Sequence, residues 1–126
     1  MGADQIAEIA PAVREVVDGF TQGRNLCATF EVSGGPDKWI QFTSGTINLA
    51  YPVDEDPVLL PAGLGIGPLN SLILVDWAPR TFATFNIEAP MTVRDIARII
   101  DAMFESTLGC AGRDYSVDVE FIELQE

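Results

Sequence analysis

Between residues 26 and 51 the chain alternates with a period of two, and its turns leave no room for a crossover. Residues 26–33 set Leu26, Ala28, Phe30 and Val32 against Cys27, Thr29, Glu31 and Ser33. Gly34, Gly35, Pro36 and Asp37 read as a turn, and residues 38–43 as a second strand. Ser44-Gly45 reads as a tight hairpin turn into a third strand over residues 46–51. Parallel neighbours need a connection of about a dozen residues or more. Turns this short predict an antiparallel meander.

The flanking segments supply helices. In residues 3–20, Ile6, Ile9, Ala10, Val13, Val16, Val17 and Phe20 recur at three- and four-residue spacings, with Asp4, Glu8, Glu15 and Asp18 between them. Pro11 conflicts with this pattern. Either it sits in the first turn of a helix that starts near Ala10, or it kinks a longer one. Gly19 and Gly23 close the segment. Residues 92–108 form the clearest helix, with Thr92 as cap and Asp95 answering it. Val93, Ile96, Ala97, Ile100, Met103, Phe104 and Thr107 line its apolar face. Arg94, Asp95, Arg98, Asp101 and Glu105 point away, the last two placed to pair one turn back, and Gly109 is the expected C-cap.

Three segments complete the pattern. Residues 72–77 are continuously apolar until Asp76 and read as a buried strand or a short helix. Residues 82–88 and 115–124 alternate as strands, the latter with Asp118 and Glu120 on one face. The order predicts an α+β two-layer fold, an antiparallel sheet with helices packed on one face. A chain of 126 residues suits one domain over residues 1–126.

Charge and residue types narrow the function. Nineteen acidic residues against seven basic ones give a net charge of −12. Such a surface repels nucleic acid and anionic membranes and favours a basic protein partner, or serves solubility alone. The absence of histidine removes the commonest general base and metal ligand. Cys27 and Cys110 lie far apart and make no zinc motif. Cys27 reads as a half-buried strand thiol, and Cys110 follows a helix C-terminus, whose dipole raises a thiol pKa. Asp118 and Glu120 share a strand face that meets solvent. No catalytic residue, metal or cofactor is expected. Residues 1–8 lack a basic and apolar leader pattern, and Ile6 stands where a myristoylation signal needs Ser or Thr. No apolar stretch approaches the roughly 18 residues of a membrane span. The expectation is a cytoplasmic protein with both thiols reduced.

Residues 52–70 break every period. Pro52, Pro57, Pro61 and Pro68 mix with Gly63, Gly65 and Gly67. The segment opens with Asp54, Glu55 and Asp56, then turns apolar at Val58, Leu59, Leu60, Leu64 and Ile66. Residues 63–67 resemble a phosphate-cradling loop, but Pro68 follows, acidic residues precede and no lysine comes after. The segment reads instead as a flexible loop, or as an apolar lip that docks a partner or a second subunit. The three acids lack the spacing of an EF-hand loop and read as a solvated turn. Trp39 alternates with Gln41 and Thr43 against Ile40 and Phe42. It is either exposed as an interface anchor or packed beneath the long loop.

Trp39-Ile40-Gln41-Phe42, Leu74-Val75-Asp76-Trp77-Ala78-Pro79, the aromatic strand at residues 82–87 and the helix at 93–108 resemble the TY-Chap pattern. That family is a bacterial group similar to type III secretion chaperones and YbjN-like proteins. The chain departs from it where Asp76 replaces a glycine and where the Gly/Pro-rich segment replaces a helix. The resemblance implies a small, acidic, often dimeric protein that binds other proteins and does no chemistry. On this reading an apolar sheet face or groove takes an extended segment of a client, with main-chain hydrogen bonds from edge-strand addition. Trp39, Leu59, Leu60, Leu64 and Ile66 are its candidate contacts. The alternative is an immunity protein or antitoxin that plugs a basic toxin with Asp54, Glu55, Asp56, Asp118 and Glu120. A possible homodimer accompanies the first reading.

Overall fold

The computed structural model describes residues 2–57, 72–87, 91–109 and 116–123. Helix α1 spans Gly2–Thr21, followed by β1 Leu26–Val32, β2 Gly35–Thr43 and β3 Thr46–Ala50. Strands β4 Leu72–Ala78 and β5 Phe82–Ile87 lead to helix α2 Val93–Ala102, which continues as a π-turn Met103–Thr107, and β6 Val117–Glu123 closes the order. The six strands form one antiparallel sheet in the order β4-β5-β3-β2-β1-β6. Helix α1 packs against α2 and also lies on β1, β6 and β2. This is the α+β two-layer fold that the alternation predicts. Residues 72–78 are a strand, which settles the strand-or-helix alternative.

The core lies between the sheet and its helices. Phe30, Ile40, Leu49 and Ala83 stand in one row across β1, β2, β3 and β5; Ala28, Phe42, Ile47 and Phe85 stand in the next. All eight are buried. From the helices come Ile9, Val13, Val16, Ile96, Ala97, Ile100, Met103 and Phe104. Each large side chain taken fully from water contributes roughly 1.5–3 kcal/mol, so this shared layer is what holds the helices to the sheet.

Several local expectations change. Helix α1 runs through Pro11 without stopping. The missing amide would leave the Ala7 carbonyl without its helical partner, but Ala7 and Pro11 are both exposed, so water reaches that carbonyl. Gly19 lies inside α1, where a Cβ would stand 2.9 Å from Leu26 Cδ1; its smallness lets the helix settle onto β1. Phe20, counted on the apolar face, points to solvent.

The first hairpin turns at Ser33-Gly34, and β2 already begins at Gly35. The register jumps between Glu31↔Trp39 and Val32↔Gly35, so Pro36 falls where no ladder amide is needed. Gly45 turns the second hairpin with φ +89°, a conformation that side chains resist. Thr92 caps α2 as expected, its hydroxyl accepting from the Asp95 amide at 3.1 Å. The regular helix stops at Ala102, and the Leu108 amide donates five residues back to the Met103 carbonyl. Asp101, assigned to the outer face, is buried. Glu105 has Asp101, a like charge, one turn back; burial first and Asp101 second push its carboxyl above the usual range.

Candidate functional site

Among the described residues no helix packs on the second face of the sheet, and side-chain hydrogen bonds organise its centre. Thr84 donates to Asn48 Oδ1 at 2.8 Å, Asn48 Nδ2 to Gln41 Oε1 at 3.2 Å, and Gln41 Nε2 to Thr29 Oγ1 at 3.4 Å. This row crosses four strands, and Thr46 Oγ1 adds a bond to Asn86 Oδ1 at 3.1 Å. The middle of the open face is therefore hydroxyl and amide, whereas the client-binding expectation was an apolar sheet face. Cys27 sits on the same face, buried at the β1 position opposite Ile122. Burial raises its thiol pKa, and a hydrogen bond with Thr29 offsets this in part.

Aromatic side chains gather at one corner. Trp39 stands half-buried on β2, in register with Glu31 of β1, and Ala50 ends β3. Beside them a depression of about 320 Å³ is lined by Asp37, Trp39, Ala50, Tyr51, Pro52, Arg80 and Thr81. The acidic turn is fastened next to it. Arg80 grips Asp54 with two parallel bonds, Nε to Oδ1 at 2.9 Å and Nη2 to Oδ2 at 2.8 Å. The Tyr51 hydroxyl donates to the Glu55 carbonyl at 2.6 Å, and its ring meets Trp77 edge-on with centroids 6.1 Å apart. Burial, then Glu55 and Asp56, raise the Tyr51 pKa, so the phenol stays protonated as a donor.

Arg80 holds this position at a cost. It is the third residue of the turn that joins β4 to β5, closed by the Thr81 amide on the Ala78 carbonyl at 3.1 Å. Its φ is 57°, where a side chain costs about 1 kcal/mol and glycine is favoured. The Asp54 clamp and the bond from its own amide to the Val53 carbonyl at 3.1 Å keep it there.

The expected contacts thus divide. Trp39 and the turn of Asp54, Glu55 and Asp56 meet at one end of the sheet, and all three acids are exposed. Leu59, Leu60, Leu64 and Ile66 lie outside the described residues, as does Cys110. Asp118 and Glu120 are exposed on β6, at the opposite edge of the sheet. No family model, curated protein or solved structure matches the chain. Among the described residues no helix is long and apolar enough to cross a membrane, and no three His, Cys, Asp or Glu side chains stand together as metal donors.

Sequence reasoning missed Arg80 and the β6 edge. The signal for Arg80 is Pro79 before it, since proline second in a type II turn leaves the third residue at positive φ. On β6 the adjacent Phe121 and Ile122 interrupt strict alternation, the sign of a strand apolar on both faces at its end. They are 47% and 51% exposed.

Proposed function

We propose that the protein is a non-enzymatic, chaperone-like protein-binding domain that takes an extended segment of a partner. The observation that carries this is at the sheet edges. The edge strands each bear two exposed apolar side chains, Ile73 and Val75 on β4 and Phe121 and Ile122 on β6. Large apolar groups left in water beside main-chain groups at a sheet edge suit strand addition. The half-buried Trp39 corner is a further proposed contact, Leu59, Leu60, Leu64 and Ile66 are candidates by sequence alone, and the TY-Chap resemblance agrees with this role. The reading places the protein in the cytoplasm, acting as a homodimer.

A second reading, an immunity protein against a basic toxin, draws on the exposed Asp54, Glu55, Asp56, Asp118 and Glu120. Native mass spectrometry of the tagged protein drawn from its host lysate separates the two. A homodimer holding a larger, partly unfolded chain is expected, lost in a Phe121→Asp, Ile122→Asp variant whose melting temperature is unchanged. A folded, basic partner bound one to one and released by salt would establish the second reading. A protein that returns with no partner at all would overturn both.

A further inference from the structure

The two sheet edges are not equivalent as templates, and this picks out one of them. On β4 the ladder is broken by a bulge between Leu74 and Asp76, and the Trp77 amide donates to the Asp76 carboxylate at 2.9 Å. A bulge and a captured amide blunt an edge. On β6 the register with β1 is unbroken from Leu26↔Glu123 to Val32↔Val117. The Ser33 amide donates to the Ser116 carbonyl at 2.9 Å, so residues of that parity on β6 pair inward. The main-chain groups of Val117, Val119, Phe121 and Glu123 then face the edge. The Val117 amide does so, donating to Glu8 Oε1 of α1 at 3.1 Å.

A groove runs beside that edge. It is about 330 Å³, floored by Pro11, Ala12, Val119 and Phe121 and rimmed by Glu8 and Glu15. An added strand would drop every second side chain into it. The alternate side chains would fall on the open face beside Asp118 and Glu120, both exposed. Apolar residues fit the first set of positions and cations the second.

Charge also decides against a second copy of this chain on β6. Two β6 strands pairing about a two-fold axis at Val119 would set Asp118 of each against Glu120 of the other. Among the described residues Asp118 accepts from the neutral Ser33 hydroxyl at 3.2 Å, and it is Glu123, on the other face, that pairs with Arg24, also at 3.2 Å.

We infer that β6 and the groove against α1 form a strand-addition site for a partner segment that alternates apolar and basic residues. This rests on the protein-binding reading and names its edge and the chemistry of its partner. The test is an NMR titration of the whole chain with a peptide of about eight residues alternating valine and lysine. Saturable shifts confined to residues 8–15 and 117–123 are expected, and added salt should weaken binding. A Asp118→Asn, Glu120→Gln variant should bind about tenfold more weakly and lose most of the salt dependence. Equal binding by a valine–glutamate peptide, or by one N-methylated at every second amide, would overturn the inference, as would no binding. Shifts centred on Trp39 and Asp54 would also overturn it while leaving the protein-binding reading standing.

Discussion

The two edges of this sheet are built from similar material and behave oppositely. Both carry exposed aliphatic or aromatic side chains. Strand β4 protects itself with geometry: a bulge, and an aspartate that takes a main-chain amide for itself. Strand β6 keeps regular geometry and relies on charge, with Asp118, Glu120 and Glu123 along it and Glu8 over its first outward amide. Geometric protection hinders any strand, whatever its charge. Charge excludes only strands of the same sign, so it protects β6 against pairing with a second β6 while leaving a selective opening.

The largest test of this contrast is the direction of the β6 amides. Glu120→Pro removes an amide that pairs with β1 and should cost about 2–3 kcal/mol in a denaturant melt. Val119→Pro removes an outward amide and should cost less than about 1 kcal/mol while blocking strand addition. Equal losses at the two positions would mean that the phase assigned to the edge is wrong.

On β4 the corresponding change is Asp76→Ala. It releases the Trp77 amide beside Ile73 and Val75 on an edge with no other charge. Self-association should strengthen about five- to tenfold, read by sedimentation velocity over a concentration series. An unchanged sedimentation profile would assign the protection to the bulge alone.

The smallest effect lies away from both edges and calibrates them. The Glu105 carboxyl is raised by burial and by Asp101, so its folded pKa exceeds its unfolded one. The resulting stabilisation is complete below the unfolded pKa and is lost as pH rises through the folded value. Relative to Glu105→Gln, the native chain should therefore lose a little melting temperature as the pH rises above the ordinary glutamate value of about 4.3. Parallel curves would remove the assigned interaction.

The fold was legible because its signals are local. Residues 26–51 alternate and reverse at short turns, so the meander and its inward rows follow from spacing alone. The rest depends on partners remote in sequence. The pattern puts Asp101 outside because it counts only its own helix, whereas burial depends on the rest of the fold. Pro11 looked like a boundary because sequence does not show that the orphaned carbonyl faces water. Trp39 and Asp54 could be nominated separately, but their meeting depends on Arg80 accepting a conformation that its own residue type disfavours.

The placing of β6 has a consequence for synthesis. The Ser33–Asp118 hydrogen bond spans 85 positions, while Thr46–Asn86 spans 40. On the ribosome, which adds roughly 5–20 residues per second, β1 is made early and its second neighbour late. For several seconds β2 can pair with one side of β1 while the other side waits. The nascent chain thus carries a transient edge on β1, next to Cys27 and Phe30, that the finished protein has closed. A chaperone that recognises unpaired strands would meet this protein as a client in that interval.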